Sequence, residues 1–155
     1  MIIRQARRQD ADWIARLLTE RWGGVTIAAH GEVFDVRSLP ALVADPNQGL
    51  ATYRVRGKEA ELMLLDAVYR GRGIGTRLIE ALVEFLREQG IFSLWVMTTN
   101  DNLTALRFYQ RRGFELRQVR AGAVSEARLL KPTIPEIGDH GIPIRDEIDL
   151  CRRLI

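Results

Sequence analysis

The sequence predicts an α/β protein built on one mixed sheet of about six to seven strands, flanked by helices. Three observations lead there. Three short apolar runs follow one another closely between residues 39 and 68, separated by turn signals. A glycine-rich segment, Arg70 to Gly75, then opens directly onto a helical apolar pattern. Finally, Ile91–Thr98 is an apolar, aromatic run long enough to lie inside a sheet. Alternating strands and helices of this kind bury their apolar faces against a shared sheet.

Taken in order, Ile2–Ala6 reads as a first strand. Ile14, Leu17, Leu18 and Trp22 recur at helical spacing from Asp10 onward, and Gly23-Gly24 stops that helix. Residues 25–38 show no clear period and are expected to be irregular. Leu39–Asp45 ends at Pro46-Asn47-Gln48-Gly49, Leu50–Arg56 ends at Gly57-Lys58, and Glu59–Val68 runs into the glycine loop, so the three form an antiparallel meander. Ile74, Leu78, Leu82 and Phe85 mark a second helix ending at Gly90. After the Ile91–Thr98 strand, Asn100, Asp101 and Asn102 all offer caps for a helix running to Arg112, with Gly113 as its stop. Phe114–Arg120 is a further strand. Ala123–Leu130 suits a short helix, Pro132–Pro143 is a Pro/Gly-rich insert, and Glu147–Leu154 alternates as a last strand.

Composition narrows the function classes. With 155 residues, 46% hydrophobic and 28% charged, the chain suits one globular domain over residues 1–155. No apolar run reaches the roughly 18–20 residues needed to span a bilayer, so no membrane partner is expected. The charged N-terminus is too short for a secretory signal, and the single cysteine, Cys151, fits a reducing compartment. The expected location is the cytoplasm. The net charge is +3, and Lys58 and Lys131 are the lysines, so arginine carries the positive charge. Those arginines are spread along the chain, which argues against a dedicated nucleic-acid surface. His30 and His140 have no Cys, His or Asp partner at metal-ligand spacing, so no metal site is expected.

A strand, a glycine turn and a helix N-terminus together form a general phosphate-binding device. Backbone N–H groups and the positive helix end point at the anion, and glycine permits close approach. Arg70 and Arg72 add charge, and Thr76 adds a hydroxyl. A dinucleotide loop would read G-x-G-x-x-G, but Gly71, Gly73 and Gly75 are followed by Thr76-Arg77. A P-loop would need G-K-[ST], which is absent. By itself, the loop is equally compatible with a turn that merely packs helix on sheet.

Its wider context is more specific. Arg70, Gly73 and Gly75 within V-Y-R-G-R-G-I-G-T-R-L fall on the fixed positions of R/Q-x-x-G-x-G/A, the acetyl-CoA signature of GNAT acetyltransferases. Asn102, Ala105, Tyr109, Gly113 and Phe114 match that family's second signature, N-x-x-A-x-x-x-Y-x-x-x-G-F. The chain therefore resembles GNAT N-acetyltransferases over roughly residues 1–120 plus the last strand. Its G-I-P-I-R-D-E-I tail resembles that of a bacterial GNAT subgroup.

The resemblance implies a GNAT fold with an inserted helix and loop before the last strand. It implies acetyl-CoA as co-substrate, held by Arg70, Arg72, Gly73, Ile74, Gly75 and Thr76. It also implies direct attack of an amine on the thioester. Deprotonating an ordinary ammonium at neutral pH requires a base, the tetrahedral oxyanion needs a donor, and the leaving thiolate benefits from an acid. Tyr109 occupies the family's acid position beside the cofactor, although helical spacing alone would make it a packing residue and Phe108 the more ordinary core member. The Leu65–Ala67 backbone is the window for the oxyanion donor and for pairing with the pantetheine arm. Glu61 and Asp66 compete for the base, with a water chain as the third option. Asn102 suits either the cofactor amide or a helix cap, and Arg111 and Arg112 either the 3′-phosphate or solvent.

In this family the acceptor is shaped by the segment after the first helix and by the last strands, here residues 25–38 and 131–148. Glu32, Asp35, Glu136, Asp139, Asp146 and Glu147 make these segments acidic, which favours a cationic small-molecule amine unless Arg37 and Arg145 neutralise them. A protein N-terminus, a lysine side chain, or no acceptor at all in a cofactor-sensing module are the competing readings. Family members often dimerise, and the last strand with its insert offers an edge for a homodimer.

Overall fold

The structure is a computed structural model describing residues 1–155. Its strands are β1 (Ile2–Gln5), β2 (Thr26–Ala29), β3 (Glu32–Asp35), β4 (Ala41–Asp45), β5 (Gly49–Arg56), β6 (Glu59–Ala67), β7 (Ser93–Thr99), β8 (Glu115–Arg120) and β9 (Glu147–Arg153). Its helices are α1 (Ala11–Trp22), α2 (Ile74–Glu88), α3 (Leu103–Arg111) and α4 (Ala123–Leu130). Seven strands form a mixed sheet in the order β1-β4-β5-β6-β7-β9-β8, and β2 and β3 form a separate two-stranded ribbon. The chain divides into two compact units: residues 1–26, 35–94 and 154–155, and residues 27–34 and 95–153. No helix is long and apolar enough to cross a membrane.

In the first unit, β1, β4, β5 and β6 pair antiparallel in that order, as the meander requires. The register of β5 on β6 shifts between Thr52 and Tyr53, where a bulge leaves Met63 without a counterpart. Helix α2 buries Ile74, Leu78, Ile79, Leu82, Val83 and Leu86, a wider stripe than the four expected positions. Each large aliphatic chain so removed from water contributes about 1.5–3 kcal/mol. Tyr53 meets the ring of Phe85 edge-on at 6.2 Å. Gly49 lies where α2 comes closest to the sheet. A Cβ there would stand 2.8 Å from Leu78 Cδ1 and 2.9 Å from Ile74 Cγ2. The sequence marks Gly49 only as part of a turn, whereas its role is to let the first turns of α2 settle on β5.

In the second unit, β8 and β9 pair antiparallel, with Glu115 opposite Cys151 and Arg120 opposite Glu147. Phe114, Leu150 and Val124 are buried there. Three expectations need correction. Residues 26–35 hold the β2–β3 ribbon rather than irregular chain. The last strand is not at the edge of the sheet: β9 lies between β7 and β8, so β8 is the terminal strand. Of Asn100, Asp101 and Asn102, only Asn102 caps α3.

Candidate active site

The first group of site residues sits on β6, the following loop and the start of α2, all within the first unit. Gly71 and Gly73 have φ of 76° and 71°, left-handed values that residues with a side chain rarely adopt. Gly73 is the N-cap of α2, and no side chain caps that end. Ile74 is buried as an anchor, whereas Arg70 and Arg72 are exposed. The Arg72 guanidinium stacks over Tyr69 at 4.9 Å, which directs one cation along the loop. The result is a helix N-terminus with arginines beside it, the arrangement an anion favours.

Upstream, Leu65 and Ala67 are partly exposed at the end of β6, opposite Ala51 and Gly49. Asp66 between them is 5% exposed. Its two oxygens accept from Arg21 Nε at 2.9 and 2.8 Å, and Trp22 Nε1 donates to it at 2.8 Å. The end of α1 is thereby latched to the end of β6, a contact that sequence reasoning did not find. Arg21 is held even more firmly in its charged form by this carboxylate. Glu61 also has a cationic partner: Arg54 donates to its Oε1 from Nε at 3.0 Å and from Nη2 at 2.8 Å.

The second group lies on α3 in the other unit. Asn102 Oδ1 accepts from the Ala105 N–H at 3.1 Å, a use of that side chain that leaves Nδ2 outside the cap. Tyr109, not Phe108, is the buried aromatic of the pair. Its ring lies edge-on to Phe114 at 5.3 Å and to Phe108 at 5.3 Å. This burial pushes the phenol well above its ordinary value of 10.0, so it stays protonated through the physiological range. Arg112 stacks on the Phe108 ring at 3.8 Å and donates to the Phe108 carbonyl at 2.9 Å, which occupies it locally. Arg111 is exposed.

The acidic residues of the acceptor segments separate into two sets. Asp35 pairs with Arg37 at 2.7 Å, and Glu147 pairs with Arg120 at 2.8 Å while Arg120 also bonds Asp149. Asp146 accepts the Gly122 N–H at 2.9 Å. Glu32, Glu136 and Asp139 are exposed, and the nearest cation to Glu136 is Arg128 at 4.0 Å. No group of three His, Cys, Asp or Glu side chains is placed to hold a metal ion.

Residues 16–114 match the acetyltransferase (GNAT) family. The chain is 37% identical over 147 residues to the Bacillus subtilis protein YxbD, covering 92% of each, and 37% identical over 133 residues to the B. subtilis protein YdhI, covering 83% of each. It is also 35% identical over 91 residues to the streptothricin acetyltransferase of Streptomyces lavendulae, 56% of this chain and 48% of that one. Among solved structures, a B. subtilis acetyltransferase in complex with CoA superposes with a TM-score of 0.70 at 17% identity, covering 99% and 98% of the two chains. The Escherichia coli ribosomal-protein-S18-alanine N-acetyltransferase does so at 0.69 and 17%, covering 99% and 93%. The chain belongs to the GNAT acetyltransferase family. It is an acetyl-CoA-dependent N-acetyltransferase with acetyl-CoA as co-substrate.

Proposed function

We propose that this single domain acetylates the primary amine of a small cationic molecule by direct attack in a ternary complex. The observation that carries the choice of acceptor is the set Glu32, Glu136 and Asp139. These three carboxylates are exposed and lie in one compact unit, on the two segments that shape the acceptor in this family. The other three acidic residues of those segments are engaged by neighbouring groups. Exposed carboxylates attract a cationic amine, and of these three only Glu136 has a cation within reach, Arg128 at 4.0 Å. The streptothricin acetyltransferase relative supports the same direction.

In this reading the backbone N–H groups from Gly73 to Thr76, with Arg70 and Arg72, hold the pyrophosphate. The Leu65–Ala67 backbone pairs with the pantetheine arm and donates to the oxyanion, and Asn102 Nδ2 reaches the cofactor amide. The amine attacks the thioester carbon, the tetrahedral intermediate collapses, and the CoA sulfur leaves with a proton from Tyr109. Burial keeps the phenol neutral, the form from which an acid must start. Both carboxylates considered as base carry a cationic partner, Arg54 for Glu61 and Arg21 for Asp66. Asp66 has both oxygens committed to Arg21 and Trp22, and with both carboxylates engaged the amine proton leaves through a water chain in this reading.

A CoA-release assay over a panel of polyamines, aminoglycosides, a streptothricin and peptides with free N-termini or lysines tests the reading. Release above background hydrolysis is expected with a small cationic amine. Turnover with peptides alone would replace it with a protein acetyltransferase. Tight acetyl-CoA binding without release for any acceptor would replace it with a cofactor sensor.

A further inference from the structure

Helix α3 is weakly anchored by its own packing. Of its nine residues only Tyr109 is buried, and so short a helix has little stability of its own. Its direction therefore depends on its ends. At the C-terminal end, Phe114 packs on Tyr109, and the Phe114 N–H donates to the Tyr109 carbonyl at 3.1 Å.

At the N-terminal end, three consecutive residues do different work. Asn100 Nδ2 donates to the Pro143 carbonyl at 2.9 Å, while its Oδ1 accepts from the N–H groups of Arg145 at 2.9 Å and Asp146 at 3.0 Å. The Asn100 N–H donates to the Asp146 carbonyl at 3.1 Å. Asp101 is buried; its Oδ1 accepts from the Thr99 hydroxyl at 2.6 Å and its Oδ2 from the Asp139 N–H at 3.0 Å. Asn102 then caps the helix.

The segment they grip is itself braced. Arg128 donates to the carbonyls of Pro135 and Ile144, both at 2.7 Å. The Gly138 N–H donates to the Ile142 carbonyl at 2.8 Å, and a side chain at Gly138 would run into Asp101 and Ile144. Residues 134–146 are thus a fixed strut against the turn that starts α3.

We propose that Asn100 and Asp101 are positioning residues for acetyl transfer: by fastening the β7–α3 turn to this strut, they set where α3 delivers the Tyr109 hydroxyl. Tyr109 lies seven positions after Asn102, about 10 Å along the helix, so a small tilt at the turn becomes a displacement near the hydroxyl. The inference rests on Tyr109 being the acid.

A double-mutant cycle tests it, using the full chain, acetyl-CoA and any amine that supports turnover. Asn100→Ala removes three side-chain bonds and is expected to lower kcat by about tenfold or more, since a misplacement near 1 Å can cost as much as a hundredfold. Asp101→Asn keeps the shape, loses acceptor capacity and is expected to have a smaller effect. In a Tyr109→Phe background, Asn100→Ala should change kcat by less than about twofold, because residues acting through one another are not additive. An unchanged kcat in Asn100→Ala would overturn the proposal. So would full additivity with Tyr109→Phe, which would assign Asn100 an unrelated structural role. If Tyr109→Phe retains full kcat, the acid reading itself fails and the positioning role fails with it, a result visible in that single variant. Should Asn100→Ala not fold, Asp101→Asn replaces it in the cycle, with the same criteria.

Discussion

Gly49→Ala should damage both stability and cofactor binding, although position 49 has an ordinary backbone. The added methyl would meet Leu78 Cδ1 at 2.8 Å, Ile74 Cγ2 at 2.9 Å and the Asp66 carbonyl oxygen at 3.0 Å. The two side-chain ends can rotate away, but the carbonyl belongs to β6, which is paired with β5 at this very point. Relief requires α2 to lift from the sheet or the β5–β6 ladder to open. Overpacking of this kind costs about 1–3 kcal/mol. For a chain of this size, each kcal/mol lowers the unfolding midpoint by roughly 2–4 °C, so a fall of about 2–12 °C is expected. Because Ile74 and Leu78 are the residues displaced, the shift falls on the first turns of α2, whose N-terminus is the proposed pyrophosphate site. Acetyl-CoA affinity should therefore drop several-fold, with about 1.4 kcal/mol lost for each tenfold. Thermal unfolding followed by circular dichroism, with calorimetric titration of acetyl-CoA, measures both. A variant that melts within about 1 °C of the parent and binds acetyl-CoA equally well would refute the claim that Gly49 sets the seat of α2.

Two further predictions concern charge. Arg21→Met strips the guanidinium from Asp66 and leaves the buried carboxylate with Trp22 as its donor. Since Arg21 is itself 42% exposed on its side chain, the expected loss is about 1–3 kcal/mol, below the 3–5 kcal/mol of a fully buried pair, and urea unfolding measures it. The second is a pH effect. Arg4 holds the Asp10 carboxyl at about 2, well below its ordinary 3.8. A depressed carboxyl stabilises the fold at pH above its unfolded value and loses that contribution as pH falls from 3.8 towards 2. Asp10→Asn should therefore flatten the acid limb of the stability profile in that window. An unchanged slope would show that the Arg4–Asp10 contact has no weight in solution.

The parts of this fold that were legible in sequence are those encoded by local pattern. The meander follows from turn residues between apolar runs, and α2 follows from a glycine loop opening onto a helical stripe. Gly49 was visible as a residue but not as a contact. A glycine at the start of a buried strand also signals close backbone approach, and that signal was masked by the turn Pro46–Gly49. The β2–β3 ribbon escaped notice because its strands are four residues each, too short for alternation to register. Tyr109 and Phe108 are neighbours on a nine-residue helix, and helical spacing alone does not decide which of two adjacent aromatics turns inward. The Asp66 latch joins residues 45 apart in the chain. No local pattern carries that pairing, so from sequence Asp66 stands only as a rival to Glu61 for the base. The place of β9 between β7 and β8 is likewise a non-local pairing, and chain order suggested the edge.

The contrast between donor and acceptor has the same physical origin. A pyrophosphate is bound by backbone N–H groups, so its site is specified by backbone conformation. That requirement leaves a residue-level trace, with glycine at 71 and 73 where φ is positive. An acceptor is recognised by side chains on loops, and here the loop path is set at long range. Asn100 reaches Pro143 across 43 residues, and Asp101 reaches Asp139 across 38. These ties run from side chains at the base of the loop to its backbone. Glu136 and Asp139, whose side chains face solvent, provide none of the bracing with their carboxylates beyond the 4.0 Å approach of Arg128 to Glu136. A loop held this way keeps its path whatever stands at its exposed positions. In the proposed reading, substitution at those positions therefore changes the acceptor while the turn, α3 and the acetyl donor site stay as they are.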